Sequence, residues 1–421
     1  MVCRIASVEL INFMSIKYGL IKGSAIKGNK VVLDKNNILS IYGQNGSGKS
    51  SILIALRLIK DFIIGELSPE SFINYINIDS DECTININFA LNNNESIYIL
   101  TYSLTINRSL IVKEESVKIL NKTNKTRVNI ALDYLNNKIL PSKLNKSLVK
   151  QNILLKNNTS NSFIFCPLLA SYASEVEAYS ILLDFKHWIA NNLFVIQTNH
   201  YSFNTKTNGP CLYAISPKGL LQYPILGELS LTETEYNRLT TYVDHINNIV
   251  AYIIPGLVIA LDVISKESDY KVELVSVKGI NKLKIKYESD GILKLISLLN
   301  LLISVFNDES ICLLVDEIDA GIFEYLFGEI LRLFSVSSKG QLIFTSHNLR
   351  PLEVLDIKDV WFTSTKEDNK FIQLTNVKNV KTLREAFFRS ILLGGQEEEL
   401  GMELSPFKLG RMFRLPYKDT H

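Results

Sequence analysis

The 421-residue sequence has few cysteines, no long hydrophobic run and little net charge. The five cysteines are scattered without a C-x-x-C pair, which argues against a zinc site and predicts a reducing compartment. The longest uncharged apolar run, residues 249–261, is interrupted by Pro255 and Gly256, whereas a membrane-spanning helix needs about 20 apolar residues. The N-terminus lacks the apolar core of a signal peptide. These absences predict a soluble cytoplasmic protein, and the net charge of +2 gives no global signal for nucleic acid.

Residues 43–50, GQNGSGKS, fit the phosphate-binding pattern G-x-x-x-x-G-K-[ST]. Glycines let backbone N–H groups curve around a phosphate, the Lys49 ammonium can neutralise the β/γ oxygens, and the Ser50 hydroxyl can ligate Mg²⁺. Apolar spacing predicts a buried strand at 38–42 and a helix over 49–64, so the phosphate would lie at a helix N-terminus. The nucleotide-binding residues predicted here are Gly43, Asn45, Gly46, Ser47, Gly48, Lys49, Ser50 and Ser51.

Two further apolar runs end in polar residues. Residues 311–315 predict a strand that leads into Asp316 and Glu317, and residues 342–346 predict another that leads into His347. Asp316 is placed to hold Mg²⁺, and Glu317 can polarise an attacking water, which are the parts that phosphoryl transfer needs. A histidine at the end of a neighbouring parallel strand could reach the γ-phosphate, although a lone histidine is more often structural.

A capped helix is predicted to begin at residues 289–291, Ser-Asp-Gly, and to continue through apolar residues 292–299. Its first N–H groups would be free to contact a phosphate. An ordinary capped helix explains the local sequence as well. The order of P-loop, capped helix, Asp-Glu strand and Ser-His strand favours the phosphate contact.

In this combination the sequence resembles the ATP-binding-cassette (ABC) ATPases, and among them the SMC/RecF-like group, specifically the OLD-like stand-alone AAA-type ATPases of bacterial defence systems. The resemblance covers about residues 5–64 and 256–365. It implies an α/β fold, a P-loop NTPase of the ABC/SMC-like type with an antiparallel β subdomain and a partly helical insert lobe. The motifs that carry it are GQNGSGKS at 43–50, SDG at 289–291, LLVDEID at 313–319, FTSHN at 344–348 and the opening VELINFMSI at 8–16.

The resemblance implies roles for the matching positions, with ATP and Mg²⁺ as cofactors. Lys49 and Ser50 would be the Walker A pair, and Asp316 the Walker B acid that shares Mg²⁺ with Ser50. Glu317 would be the catalytic base and His347 the switch histidine, and Lys49 would also be a catalytic residue.

The resemblance also implies a homodimer. Ser289 and Gly291 would cap the γ-phosphate of ATP bound to a second subunit, and Asp319 would begin the D-loop. The sequence departs from the family at Met14, where a basic residue often contacts nucleotide, and in its degenerate signature. It also has no glutamine between Gln44 and Gln151, so a Q-loop is left unplaced.

Four regions are predicted along the chain. Residues 1–120 form the first half of the ATPase core, 121–255 an insert lobe, 256–365 the second half, and 366–421 a C-terminal helical tail. Within them we expect helices at 171–194 and, from a capping box at Thr232, up to about Ile254. Further strands are expected at 83–89, 96–106, 109–120, 258–264, 270–277 and 282–287.

The start of the insert is basic. Against one acid, Asp133, residues 121–160 contain Lys122, Lys125, Arg127, Lys138, Lys143, Lys146, Lys150 and Lys156. Such a patch can contact nucleic-acid phosphates. A solvated Lys/Asn-rich insertion is the favoured alternative, because no aromatic residues alternate with the lysines for base stacking.

Two functions remain open. The first is an ATP-gated dimerising ATPase that regulates a separately encoded effector, with anti-phage defence expected by analogy. The second is a DNA-binding repair ATPase of the RecF/SMC type that uses residues 121–160. A transporter cassette is disfavoured by the long insert, and a nuclease is not expected, because no strand-end acid cluster follows His347. The sequence LLGGQE at 392–397 lies downstream of His347 and is predicted to be a turn.

Overall fold

The computed structural model describes most of the chain, with gaps in the middle and at the C-terminus. The described residues are 1–27, 30–33, 38–93, 96–109, 112–133, 138–140, 162, 164–165, 177–197, 211–216, 219–266, 269–375 and 382–393. The lysines at 143, 146, 150 and 156, the residues 394–397 of the LLGGQE sequence and the remainder of the tail therefore lie outside the described residues.

The described helices and strands alternate along the chain. The helices are α1 Ser51–Ile64, α2 Glu177–Asn192, α3 Glu233–Ile253, α4 Asp290–Asn307, α5 Glu324–Ser337 and α6 Leu383–Leu393. The strands are β1 Val2–Phe13, β2 Ile16–Lys22, β3 Ile26–Lys27, β4 Lys30–Val31, β5 Ile38–Tyr42, β6 Glu82–Asn93, β7 Ser96–Asn107, β8 Val112–Asn121, β9 Arg127–Asp133, β10 Lys138–Leu140, β11 Leu193–Ile196, β12 Cys211–Ser216, β13 Gly219–Pro224, β14 Glu228–Leu231, β15 Leu257–Lys266, β16 Tyr270–Lys278, β17 Asn281–Lys284, β18 Cys312–Val315, β19 Gln341–Thr345, β20 Val360–Thr363 and β21 Phe371–Ile372.

A six-stranded sheet in the order β11-β18-β19-β5-β20-β21 forms the central layer. Its first five strands are parallel, and only β21 runs antiparallel to its neighbour. All residues of these five strands are buried, which explains their continuous apolar sequences, because a parallel sheet is covered on both faces. The strands predicted at 38–42, 311–315 and 342–346 are confirmed as β5, β18 and β19.

A second sheet is antiparallel, in the order β10-β9-β8-β7-β6-β1-β2. In β7 buried and partly exposed residues alternate along almost the whole strand, as expected for a sheet with one covered face. Along the chain, helix α1 follows β5 of the central sheet and precedes β6 of the antiparallel sheet. It is apolar enough to pack on both sheets. Its buried residues belong to the same hydrophobic cluster as those of β1, β6, β7 and α2. The predicted α/β fold with an antiparallel subdomain is thus confirmed.

A third unit consists of the sheet β14-β16-β15, with β17 beside β16, and of helix α3. The predicted capping box is present: the Thr232 hydroxyl accepts from the Glu235 N–H at 3.4 Å, and the Glu235 carboxylate accepts from the Thr232 N–H at 2.9 Å. Buried residues of α3, β15, β16 and α4 form one apolar cluster. The strand predicted at 282–287 ends earlier, at Lys284, because residues 285–287 form a 3₁₀ turn that leads into α4.

The prediction for residues 171–194 was wrong at its C-terminal end. The helix ends at Asn192, and the next residues form β11, which pairs in parallel with β18 in the central sheet. An apolar run of this kind can satisfy either a helix or a short buried strand, and tertiary pairing with β18 decides between them. Strand β9 likewise extends the antiparallel sheet. Three strands of the segment 121–255 therefore belong to the two main sheets: β9 and β10 to the antiparallel sheet, and β11 to the central sheet.

Among the described residues, α4 is the one helix long and apolar enough to cross a membrane by length and composition. Of that 18-residue helix, 61% is buried inside the protein. This combination is typical of a core helix.

Candidate functional site

The P-loop connects the C-terminal end of β5 to the N-terminus of α1. Gly46 and Gly48 have φ angles of 73° and 91°, a region that glycine enters without strain. The Lys49 ammonium donates to the carbonyl oxygens of Gly43 and Gln44 at 2.9 and 2.8 Å. Burial lowers the pKa of Lys49, because its side chain is largely withdrawn from water. The loop therefore combines a curved backbone, a cation and a helix N-terminus, which is a site suited to phosphate.

The base of this loop is packed too tightly for any side chain at Gly43. A Cβ atom there would lie 1.7 Å from the Thr363 hydroxyl oxygen. That hydroxyl, at the end of β20, lies 2.6 Å from the Ser47 hydroxyl and 3.3 Å from the Tyr42 carbonyl oxygen. Residue 43 must be glycine because a neighbouring strand occupies the space. Asn45 and Gly46 lie at the exposed tip of the loop, and the Ser51 hydroxyl points instead toward the Met14 sulfur at 3.5 Å.

The two predicted magnesium ligands are in direct contact. The Ser50 hydroxyl donates to Asp316 Oδ1 at 2.9 Å, although the residues are far apart in sequence. Asp316 follows β18, and its backbone N–H donates to the Ile196 carbonyl oxygen at 2.8 Å, which fixes the strand end. A hydroxyl and one carboxylate fit Mg²⁺, which keeps several waters and takes its remaining oxygens from phosphate. In the described part of the chain, no group of three or more His, Cys, Asp or Glu forms a closed metal site.

Glu317 has a left-handed backbone with a φ angle of 46°, which is unusual for a residue other than glycine. Its N–H donates to the Thr345 hydroxyl oxygen at 2.7 Å, and this hydroxyl donates to Asp316 Oδ1 at 2.5 Å. Thr345 is completely buried at the end of β19. One threonine side chain therefore contacts both the predicted magnesium ligand Asp316 and the predicted catalytic base Glu317. Strained backbone of this kind costs about 1–3 kcal/mol and concentrates at functional sites.

His347 lies close to Glu317 on the next strand end. Its Nε2 atom is 3.5 Å from Glu317 Oε1, and both side chains remain more than one-third exposed. The backbone N–H groups of His347 and Asn348 donate to the Asp319 carboxylate, at 3.3 Å and 2.9 Å for their shorter contacts. Asp319 thus orders the turn that carries the histidine. The geometry leaves Glu317 and His347 open on one side, where a phosphate and a water can approach.

The Ser-Asp-Gly segment forms the N-terminus of α4, as predicted. The Ser289 hydroxyl accepts from the Ile292 N–H at 3.4 Å. A Cβ atom at Gly291 would lie 2.1 Å from the carbonyl oxygen of Gly321, so the glycine permits close contact with the loop that follows Asp319. A cleft of about 620 Å³ opens beside Ser289 and Gly291, and its lining includes the exposed aromatic side chains of Tyr252, Phe323 and Tyr325.

Three polar residues at this site carried no prediction from the sequence. Gln197 follows β11, in register with Asp316 after β18, and its amide oxygen accepts from Arg57 at 2.5 Å. It lies at the C-terminal end of β11, next to the strand that leads into Asp316. If residues 193–196 are assigned as a strand beside β18, Gln197 is recognised as a polar residue at a strand end. Thr345 and Lys294 could not be found this way, since their roles depend on contacts made only in the folded chain.

Comparisons with known proteins address part of this assignment. Residues 7–192 match the family model described as "AAA domain". A comparison with curated protein sequences gives no match. Among solved structures, a SmcHead bound to the C-winged helix domain of ScpA has 14% identity and a TM-score of 0.44, with coverage of 90% of this chain and 100% of that chain.

Two further solved structures are similar at the same level. The SMC head domain from Thermotoga maritima has 14% identity and a TM-score of 0.38, and covers 88% of this chain and 99% of its own. The Smc head domain with an extended coiled coil, bound to the C-terminal domain of ScpA derived from Pyrococcus furiosus, has 14% identity and a TM-score of 0.44, with coverage of 92% and 98%. Over residues 7–192, which include the P-loop, the chain is similar to AAA domains.

Proposed function

We propose that this protein is an ATPase in which the P-loop holds the phosphates of ATP and Glu317 activates the attacking water. The observation that carries the proposal is the contact of Ser50 with Asp316 at 2.9 Å, with Glu317 as the next residue along the chain. This contact joins the N-terminus of α1 to the C-terminal end of β18. Ligands of open α/β sheets bind at this edge, beyond the carboxyl ends of the strands.

In the proposed mechanism, backbone N–H groups of residues 43–48 and the Lys49 ammonium bind the β- and γ-phosphates. Mg²⁺ held by Ser50 and Asp316 would neutralise charge on the phosphate oxygens. Glu317 orients a water in line with the γ-phosphate and takes up its proton, while His347 contacts the departing γ-phosphoryl group. Positioning and charge stabilisation supply most of the rate in such a reaction.

The proposal extends to a homodimer in which Ser289 and Gly291 of one subunit face the ATP of the other. Exposed aromatic residues support an interface at this end of the molecule: Tyr252 is 88% exposed, Phe323 73% and Tyr325 59%. Large apolar side chains grouped beside a cleft are typical of interaction surfaces, since monomeric proteins rarely expose them together. ATP-driven closure would then be the output of the ATPase.

We further propose, from the resemblance alone, that closure regulates a separately encoded effector in the cytoplasm, with anti-phage defence as the setting. The alternative of a DNA-binding repair ATPase uses the basic segment 121–160. Of its lysines and arginine, only Lys122, Lys125 and Arg127 have described side chains, and they lie in or beside the β8–β9 hairpin. No described contact favours that alternative.

The dimer is tested by the solution mass of Glu317→Gln with and without ATP and Mg²⁺, measured by light scattering on a sizing column. Removing the base traps bound ATP, so we expect the mass to double from 47.7 kDa. The control Lys49→Ala loses the phosphate cation and is expected to stay monomeric and inactive. An unchanged mass for Glu317→Gln would reduce Ser289 and Gly291 to a helix cap. Wild-type turnover by Lys49→Ala would refute the ATPase itself.

A further inference from the structure

We propose that Lys294 is a positioning residue that holds the backbone of Glu317 in its reactive conformation and links it to helix α4. The inference rests on the proposed function, since it concerns how Glu317 is aligned. Lys294 lies in the second turn of α4 and is only 4% exposed. Its ammonium donates a hydrogen bond to the carbonyl oxygen of Glu317. The sequence motif assigns no role to this position. It lies on the buried face of α4, where an apolar residue would be expected.

Glu317 is held at both ends by side chains from different elements. Thr345 of β19 accepts from its N–H at 2.7 Å, and Lys294 of α4 donates to its carbonyl oxygen. With a φ angle of 46°, the residue would relax to a right-handed conformation if either bond were lost. Such a rotation would move its carboxylate away from His347. The two bonds therefore define where the carboxylate points.

The environment of Lys294 is that of a functional cation and not of a side chain that only packs in the core. Burial lowers the pKa of Lys294 to about 8, while Asp319, Glu317 and Asp316 favour its charged form. A buried lysine is costly unless its charge has partners, and here the Glu317 carbonyl oxygen accepts a hydrogen bond from the ammonium. Lys294 also lines a small cavity with Gln197 and with Asp316, a predicted magnesium ligand.

Two contacts on one face of α4 connect the helix start to the loop that follows β18. Gly291 and Lys294 are three residues apart and so lie on the same side of the helix. Gly291 packs against the backbone of Gly321, and Lys294 binds the backbone of Glu317. Movement of the helix start, where Ser289 would meet the second subunit, is thereby transmitted to the catalytic carboxylate of its own subunit.

The test compares Lys294→Met with wild type in steady-state ATP hydrolysis and in binding of a fluorescent ATP analogue. Methionine keeps the length and apolar stem but removes the donor and the charge. We expect kcat to fall at least tenfold while nucleotide affinity and KM stay within threefold. Lys294→Gln keeps a donor and is expected to give an intermediate kcat. Combined with Glu317→Gln, Lys294→Met is expected to lower turnover no further.

The control is Ser297→Ala, which lines the same small cavity. Its hydroxyl donates to the Leu293 carbonyl oxygen within α4 at 2.8 Å, and within the described part of the chain it makes no hydrogen bond to Glu317. We expect wild-type kcat for this variant. If Lys294→Met does not fold, Lys294→Gln decides the question by the same split between kcat and affinity.

A kcat within twofold of wild type for Lys294→Met and Lys294→Gln would overturn the inference, as would a loss confined to nucleotide affinity. Failure of the proposed ATPase function gives a different result from failure of the positioning role. In that case the wild-type protein would show no ATP hydrolysis that depends on Lys49. Wild-type hydrolysis that Lys49→Ala abolishes and Lys294→Met leaves unchanged would remove the positioning role alone.

Discussion

Thr345→Val removes one hydroxyl that contacts both the predicted magnesium ligand Asp316 and the predicted catalytic base Glu317, and leaves the shape of the side chain almost unchanged. The Thr345 hydroxyl accepts from the Glu317 N–H at 2.7 Å and donates to Asp316 Oδ1 at 2.5 Å. Because the residue is completely buried, water does not replace the lost partner. A buried donor without an acceptor costs about 1–3 kcal/mol. We expect the free energy of unfolding to fall by about that amount.

The catalytic effect should follow from the same bond. Without the hydroxyl, the left-handed backbone of Glu317 has one anchor fewer, and Asp316 Oδ1 loses the donor from Thr345 while it keeps the one from Ser50. If half of the lost energy, about 0.5–1.5 kcal/mol, appears in the transition state, kcat falls about two- to thirteenfold. The apparent affinity for Mg²⁺ should change with it, because Asp316 is a proposed ligand. Steady-state ATPase assays over a magnesium titration measure both quantities.

Thr345→Ser is the matched control, because it keeps the hydroxyl and removes only a buried methyl group. Its cost is expected at about 1 kcal/mol of stability, with kcat near wild type. The two variants therefore separate packing from hydrogen bonding. If Thr345→Val retained wild-type kcat, or if both variants lost activity equally, the hydroxyl would not align the acids and the reasoning would be refuted.

Two other variants test the energetics around the P-loop helix and the start of α4. Burial raises the pKa of Asp61 to about 6, so its protonation stabilises the fold; this contribution is complete below about pH 3.8 and is lost as the pH rises through 6. Asp61→Asn should raise the free energy of unfolding by up to about 3 kcal/mol at pH 7.5 and by much less near pH 4. Urea denaturation at the two pH values measures this difference. A gain independent of pH would contradict the raised pKa of Asp61. Gly291→Ala would place a Cβ 2.1 Å from the Gly321 carbonyl oxygen, so it should cost about 1–3 kcal/mol of stability and reduce ATPase activity, although alanine normally stabilises a helix. Gly279→Ala is the control, because a Cβ atom there has nothing within 4 Å. It should lose about 1 kcal/mol of stability, since alanine is strained at a φ angle of 61°, and should keep full activity. Equal ATPase losses in the two variants would refute the steric argument.

Local sequence patterns predicted most of the elements that surround the site. Alternation predicted β6 and β7, apolar runs predicted β5, β18 and β19, and the capping box predicted the start of α3. These predictions succeed because period, burial and capping are encoded within a few adjacent residues. The strand β11 was missed for the complementary reason: an apolar tetrapeptide after a helix has no local feature that distinguishes strand from helix, and its partner β18 is far away in sequence.

The sequence by itself determined the motifs from which phosphate and magnesium binding are proposed, because a glycine-rich loop with Lys49 and Ser50 and an apolar strand ending in Asp316 and Glu317 can be recognised residue by residue. Tertiary structure alone decided how these parts are aligned. Thr345 and Lys294 hold the two ends of Glu317 from elements distant in sequence. Gln197 lies beside Asp316 only because β11 pairs with β18. Hydrogen bonds between separate elements depend on packing of the whole core, which no local pattern encodes.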